Sequence, residues 1–313
     1  MKILQIVYSL SPRAGGPPRA VLELSEALAR AGQEVSIFST GHGLETCESR
    51  WRFKNNGVRI EIFKRAWPWP YFYSPALKEK LEHSLRDFDL VHIHGLWLYP
   101  TLIASRICQR EKVPYIIRPC GMLNRYSLSH HPLRKKIYSF LFEKRNLSQA
   151  QAIHFTTEEE RGRSMVDGLE SRLVIIPLGL KMENYLNLPP KGTFRRRYPH
   201  LKDKKIILFL GRVSFKKGLN LLVDAFSELV DAVPEVHWVI AGPDDEGYGR
   251  QLRRWIDQKE IEDQVTVTDL LEGEEQLALL RDSDIFCLPS YQENFEMAVV
   301  EAMAAGLPVV VSD

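Results

Sequence analysis

The sequence predicts an α/β protein built from two doubly wound domains, each a parallel sheet with helices on both faces. Three observations predict it. The chain has 313 residues, about twice an ordinary domain. Short apolar runs alternate with stretches of helical periodicity along most of its length. That alternation breaks after Pro177 and then starts again. The balance of 44% hydrophobic and 26% charged residues excludes a disordered chain or a fibrous repeat.

Lys2–Val7 is the first apolar run and reads as a strand. It lacks the long apolar core and small-residue cleavage site of a signal peptide. Ser-Pro-Arg-Ala-Gly-Gly-Pro-Pro at 11–18 is a loop, and a helix can start at Pro17 or Pro18. Val21, Leu22, Leu24, Leu28 and Ala31 recur at helical spacing until Gly32 closes the helix. Glu34–Ser39, Val58–Phe63, Leu90–His94, Tyr115–Arg118, Ala152–Thr156 and Leu173–Ile176 continue the strands, with helical stretches between most of them.

Pro177-Leu-Gly-Leu opens the break. Asn187, Pro189, Pro190 and Gly192 extend it, followed by Arg195–Arg197 and Tyr198-Pro199, a composition that fits a hinge. The expected division is a first domain at 1–183, a linker at 184–204 and a second domain at 205–313. In the second, Lys205–Leu210, Val236–Ala241, Val265–Thr268, Ile285–Leu288 and Val309–Val311 read as strands. Leu219–Ala232, Tyr248–Lys259, Glu275–Asp282 and Ala298–Ala305 read as helices. Ending on a strand at Asp313, the second domain reads as incomplete.

No stretch approaches the roughly 18–20 apolar residues of a membrane span. Cys47, Cys108, Cys120 and Cys287 are far apart without a CxxC, which argues for a reducing cytoplasm and against a disulfide framework or zinc site. The formal net charge of +2 hides an asymmetry. Residues 1–180 carry 26 Lys+Arg and 17 Asp+Glu, while 181–313 carry 16 and 23, giving +9 and −7. The basic excess is too dilute, and too bare of motifs, for nucleic acid.

Three loops carry candidate chemistry. Gly15-Gly16 precedes a helix N-terminus, where small residues admit a ligand and the helix favours an anion; a plain tight turn is the competing reading. Gly211-Arg212-Val-Ser-Phe-Lys216-Lys217-Gly218 follows a strand and opens a helix. Arg212 can fork onto phosphate oxygens and Lys217 adds a point charge; the alternative is a solvated basic loop. Ser290-Tyr-Gln-Glu293-Asn294-Phe295-Glu296-Met-Ala-Val-Val-Glu301-Ala-Met-Ala-Ala-Gly306-Leu-Pro places Glu293 on a loop and Glu301 on the helix after it. Carboxylates there suit hydrogen bonds from sugar or ribose hydroxyls; ordinary surface glutamates are the alternative.

That last segment resembles the Glu-x7-Glu motif of retaining glycosyltransferases of family 4, which have the GT-B fold of two Rossmann-like domains facing a cleft. The Gly-Arg…Lys-Gly loop is similar to the family's donor-phosphate loop. Val91-His-Ile-His-Gly-Leu-Trp97, Pro119-Cys-Gly-Met-Leu123 and Ile175-Ile-Pro-Leu-Gly179 resemble family segments in the same order. The His-Gly-Leu-Trp and Gly-Met-Leu wording resembles members that build bacterial surface polysaccharides.

The resemblance implies transfer from a UDP- or GDP-sugar to a saccharide, expected to be lipid-linked, with no metal and no further cofactor. It assigns Arg212 and Lys217 to the diphosphate, Glu301 to the ribose and Glu293 to the donor sugar. Asn294 and Phe295 fall on the same donor segment. His94 would face sugar or acceptor from the first, acceptor-side domain, and Gly15 and Gly16 would approach the diphosphate or the acceptor. Leaving-group stabilisation by cations and backbone amides replaces a metal. His92 and His94 alternate on one strand and face one side, but no third ligand lies near them in sequence.

The family usually has glycine where Glu296 stands and commonly has glycine where Asp269 stands, so both add negative charge near a negative ligand. Cys120 stands where relatives often carry a basic residue or histidine. Segment 118–145 carries Arg118, Arg125, Arg134, Lys135, Lys136, Lys144 and Arg145 against Glu143, with Leu133, Ile137, Phe140 and Leu141 on one helical face. It reads either as a basic amphipathic surface for an anionic membrane or as an ordinary domain helix. The localisation this implies is cytoplasmic, with peripheral attachment to the inner face of the plasma membrane. A non-catalytic nucleotide-sugar binder or an inactive fragment is the rival from another class. A GT-B epimerase is a further enzyme rival, and should lack the Glu-x7-Glu continuation.

Overall fold

The computed structural model describes residues 1–41, 50–68, 71–124, 132–164, 172–244 and 247–312, without the side chains of 50–54, 132 and 134. Cys47, Arg125, the side chain of Arg134 and Asp313 therefore lie outside the described residues. The chain divides into two compact units, Met1–Gly179 and Leu180–Asp313.

The first unit contains β1 (Lys2–Val7), β2 (Glu34–Thr40), β3 (Arg50–Asn55), β4 (Val58–Phe63), β5 (Leu90–His94), β6 (Tyr115–Arg118), β7 (Ala152–Phe155) and β8 (Leu173–Ile175). They form one sheet in the order β3-β4-β2-β1-β5-β6-β7-β8. All pairs are parallel except β3 with β4. Crossover helices force this: Gly16–Arg30 joins β1 to β2, Pro75–Ser84 lies between β4 and β5, and Tyr99–Glu111 joins β5 to β6. Strand β3 was not expected. It is an antiparallel hairpin on β4, turned by Asn56-Gly57, both at positive φ, the pairing that a two-residue hairpin turn requires.

The second unit contains β9 (Lys205–Leu210), β10 (Val236–Ala241), β11 (Val265–Thr268), β12 (Ile285–Leu288) and β13 (Val309–Val311), in the order β11-β10-β9-β12-β13, all parallel. Each sheet packs its own core. Phe63, Phe155 and Ile37 are among the fully buried side chains of the first unit, and Trp238, Phe209, Phe226 and Phe286 among those of the second.

The linker expected at 184–204 is corrected. Tyr185, Phe194 and Leu201 are buried in the second unit's core. Asp282 explains why the Pro/Gly/Arg-rich composition does not make a hinge. Its buried carboxylate accepts hydrogen bonds from the backbone of Gly192 (2.5 Å), Phe194 (2.8 Å) and Arg195 (3.1 Å), at the start of the helix Thr193–Arg197. Arg195 then donates to the carbonyls of Leu201, Lys204 and Asp282. The boundary falls at Gly179/Leu180 and not at 183.

Strand order reverses between β1 and β5 in the first sheet and between β9 and β12 in the second. In open α/β sheets ligands bind at the C-terminal strand ends beside such a switch point. The loops that leave these four strands hold Gly15, Arg212, Lys217 and Glu293, and His94 is the last residue of β5.

Candidate donor-binding site and its first-domain counterpart

The structure brings Lys217, Glu293 and Glu296 together. The loop after β9 and the loop after β12 are fastened to each other by backbone contact. The Tyr291 N–H donates to the Lys216 carbonyl (2.8 Å), Asn220 Nδ2 donates to the Tyr291 hydroxyl (2.7 Å), and the rings of Phe215 and Tyr291 stack 5.1 Å apart. Gly218 adopts φ +65°, and a Cβ there would lie 1.8 Å from the Pro289 carbonyl oxygen. Only glycine lets the two loops approach this closely.

Lys217 is buried, not solvated. Its Nζ donates to Glu293 Oε1 (2.8 Å) and to Glu296 Oε2 (2.5 Å). Burial, opposed by the Lys217 charge and reinforced by Glu293, pushes the Glu296 carboxyl up to about 7. Burial would raise Glu293 as well, but the Lys217 charge and its hydrogen bonds hold it below the ordinary carboxylate range. Burial would lower Lys217, and the two carboxylates raise it instead. Glu296 is the N-cap residue of the helix Met297–Ala304, yet its side chain makes no capping bond because it reaches Lys217. The motif offered no direct signal for this pairing, since Lys217 and Glu296 are 79 residues apart.

Glu301 lies on that helix, as expected, and is buried. Gln276 Nε2, from the helix Gly273–Asp282, donates to Glu301 Oε2 (2.7 Å) and holds the carboxylate in place. Arg212 is exposed on the loop after β9, and Asn294 and Phe295 are half-buried on the loop after β12. Asp269 follows β11, and its Oδ1 accepts from the next backbone N–H, Leu270 (2.8 Å).

In the first unit, His94 ends β5 and is buried. Its Nε2 bonds Gln5 Oε1 (2.7 Å), and its ring lies 4.2 Å from that of His92. His92 Nε2 meets His154 Nδ1 (3.2 Å), and His154 Nε2 donates to the Ile176 carbonyl (2.8 Å). Burial, together with the neighbouring imidazoles and Arg118, holds both His92 and His94 well below the usual histidine range, so both are neutral near pH 7. Gln5 and His154 were missed in the sequence because they come from β1 and β7. Among the described residues no group of three or more His, Cys, Asp or Glu is placed to hold a metal.

Gly15 has φ 87° and caps the helix Gly16–Arg30, which begins one residue earlier than expected. A Cβ on Gly16 would meet nothing within 4 Å, so the fold itself does not demand glycine there. Pro17 and Pro18 lack an N–H, so the first helical turn offers few backbone donors.

The segment 118–145 divides. Arg118 is buried at the end of β6, and Glu143 is also buried, its carboxyl pushed up to about 7 by burial. Neither belongs to a basic surface. Leu133, Ile137, Phe140 and Leu141 are 71%, 53%, 77% and 55% exposed, beside exposed Lys136, Lys144 and Arg145.

Residues 15–179 match the family described as glycosyl transferase 4-like domain, and residues 190–313 match glycosyl transferases group 1. An uncharacterized glycosyltransferase of Methanocaldococcus jannaschii is 26% identical over all of this chain and 80% of its own length. A GDP-mannose:cellobiosyl-diphosphopolyprenol alpha-mannosyltransferase of Xanthomonas campestris is 23% identical, over all of this chain and 79% of its own. The crystal structure of Anabaena HepE in complex with UDP and glucose superposes with a TM-score of 0.75 at 17% identity, covering 99% of this chain and 80% of that one.

Proposed function

We propose, from the premise that this chain belongs to glycosyltransferase family 4 and has the GT-B fold, that it transfers a sugar from a UDP- or GDP-sugar to a saccharide with retention of anomeric configuration and without a metal. The observation that carries this is the buried Lys217, held beside Glu293 at the strand-order reversal of the second sheet. Lys217 and Arg212 meet the diphosphate oxygens, Glu301 accepts from the ribose hydroxyls, and Glu293, Asn294 and Phe295 line the donor sugar. The bond from the anomeric carbon to the phosphate oxygen breaks, and the acceptor oxygen bonds to the same face of that carbon. The acceptor proton goes to the leaving phosphate. Fixed cations stabilise the charge that develops on that phosphate.

A diphosphate-lipid-linked saccharide is the acceptor class this reading favours, since a relative at full coverage is named for one. Among the described residues no helix is long and apolar enough to cross a membrane. Attachment to the inner face of the plasma membrane would instead use the exposed Leu133, Ile137, Phe140 and Leu141. Beside Leu141 a cavity of about 350 Å³ is lined by Arg106, Arg145 and Arg110, the last already paired with Glu82 and Glu111, which leaves Arg106 and Arg145 to meet lipid phosphates. Sedimentation should show binding to anionic vesicles, at about 1 kcal/mol per well-placed cation, that fades with salt. It should weaken when Leu133, Ile137 and Phe140 are changed to serine. Equal, negligible binding to anionic and neutral vesicles at low salt removes this attachment.

The rival reading is a non-catalytic nucleotide-sugar binder, and it rests on the two carboxylates already occupying Lys217. A transfer and hydrolysis assay over a panel of UDP- and GDP-sugars, with the product anomer read by NMR, decides. Binding without turnover favours the rival, and an inverted product ends the retaining assignment. Arg212→Ala should weaken nucleoside diphosphate binding by about 1.5–3 kcal/mol, with melting unchanged because the residue is exposed. Unchanged affinity by calorimetric titration ends the phosphate role of Arg212.

A further inference from the structure

Parallel sheets covered on both faces are ordinarily apolar inside. One face of the first sheet departs from this where β1, β5 and β6 adjoin. Gln5 pairs in register with His92, and His94 pairs with Arg118, so the four side chains issue from the same side. All are buried, His94 to 1% and Arg118 to 4% exposure. Arg118 Nε and Nη1, His94 Nδ1 and Gln5 Nε2 have no hydrogen-bond partner among the described residues.

Arg195 shows how this chain uses an arginine for structure: its guanidinium is spent on four carbonyls and on Asp284. Arg118 has no such set. The buried carboxylate of Glu160 is committed elsewhere, to the N–H of Gly121 (2.7 Å) and to the N–H and hydroxyl of Thr156 (2.8 and 2.7 Å). A buried cation whose donors are left without acceptors is costly, and an anion that arrives as ligand reduces the cost. Because Gln5 Oε1 accepts from His94 Nε2, the neutral imidazole keeps its lone pair on Nδ1 and can accept from a hydroxyl. Both residues end their strands, at the edge where such sheets take ligands.

We propose that Arg118 receives the phosphate or carboxylate of an anionic sugar bound by the first unit, while His94 Nδ1 accepts from a hydroxyl of that sugar. The proposal rests on the reading of this unit as the acceptor side. It makes Arg118 the residue that selects charged over neutral acceptors. Arginine presents the matching planar donors, which lysine does not. Arg118 leads directly into the turn Pro119–Asn124, whose Gly121 N–H is tied to Glu160, so a ligand held by its guanidinium should slow amide exchange there.

Calorimetric titration of the full chain with glucose 6-phosphate, glucuronate and glucose tests it, with Arg118→Met and Arg212→Ala as variants. One or both charged sugars should bind at least about tenfold tighter than glucose, near 1.4 kcal/mol. Which of them does so identifies phosphate or carboxylate. The preference should vanish in Arg118→Met and survive in Arg212→Ala. Should Arg118→Met not fold, hydrogen exchange on the wild type decides, with slowing at 118–124 by a charged sugar expected. No preference for charge, a preference that survives Arg118→Met, or no protection of that turn overturns the proposal. UDP titration of the wild type runs separately. Its failure would count against the donor reading and leave Arg118 to be judged by the sugars.

Discussion

Replacing Lys217 by methionine should cost stability and nucleoside diphosphate affinity together, and the stability loss should grow as pH rises. Lys217 holds two carboxylates, Glu293 at 2.8 Å and Glu296 at 2.5 Å. Without it they face each other half-buried. Removing one partner of a buried ion pair typically costs about 3–5 kcal/mol. Here a proton can replace part of the lost charge, since the Glu296 carboxyl already stands at about 7. The sign follows from linkage. Glu293 is held below its ordinary value, so its contribution is present above that value and is lost as pH falls through the depressed one. Glu296 is raised, so its contribution is full at low pH and is lost as pH rises through about 7. Removing Lys217 turns the first case into the second, and both carboxyls then favour low pH. Urea denaturation should give a loss near 3–5 kcal/mol at about pH 8 and about half that at about pH 5.5. A second change, Glu296→Gln, should restore part of it. Affinity for UDP or GDP should fall about 10- to 150-fold, the worth of one charge-assisted contact. Stability equal to wild type at the higher pH would show that Lys217 does not compensate these carboxylates.

The strands of both sheets were legible because a buried parallel strand is a short apolar run, and Ile206–Leu210 and Val236–Ala241 are buried at every position. Strand β3 was missed although Trp51 and Phe53 alternate with Arg50, Arg52 and Lys54 and Asn56-Gly57 carries a strong hairpin signal, because only two of its six residues are apolar and the run is too short to stand out. The linker was misread for the opposite reason. Proline, glycine and arginine look like punctuation in sequence, and only the distant Asp282 turns Gly192–Arg195 into a capped, buried helix start. The positions of Arg212 and Glu293 followed from local motifs on loops at strand ends, and that of Glu301 from the helix after the second of them. The partners of those residues did not. Gln276 beneath Glu301, Gln5 and His154 around His94, and Glu296 on Lys217 are all contacts between distant segments. Arg118 was read as part of a basic surface because charge in a sequence is assumed to be solvated, and it is buried at the end of β6.

Substituting Glu296 by glycine should tighten nucleotide-sugar binding about tenfold near pH 8 and have little effect below about pH 6. A carboxylate about 5 Å from a phosphate charge repels it by about 3 kcal/mol at an effective dielectric of 20. Partial exposure and screening reduce that to about 1–2 kcal/mol. The side chain also occupies Lys217, so an incoming diphosphate must displace it. Both effects need the ionised form, and burial sets its carboxyl at about 7. Wild-type affinity should therefore rise as pH falls from about 8 to about 6, while Glu296→Gly and Glu296→Gln stay flat over that interval. Stability should fall by less than in the Lys217 variant, since Glu293 still pairs with Lys217. The acid near the helix start is worth about 0.3–1 kcal/mol, glycine is an acceptable N-cap, and no capping bond is lost. Calorimetric titration of UDP- and GDP-sugars into the three proteins at both pH values measures this. If the glycine variant binds more weakly at both, Glu296 contacts the donor sugar directly. Its departure from the family's glycine then sets sugar specificity, and Lys217 is held by Glu293 alone while the donor is bound.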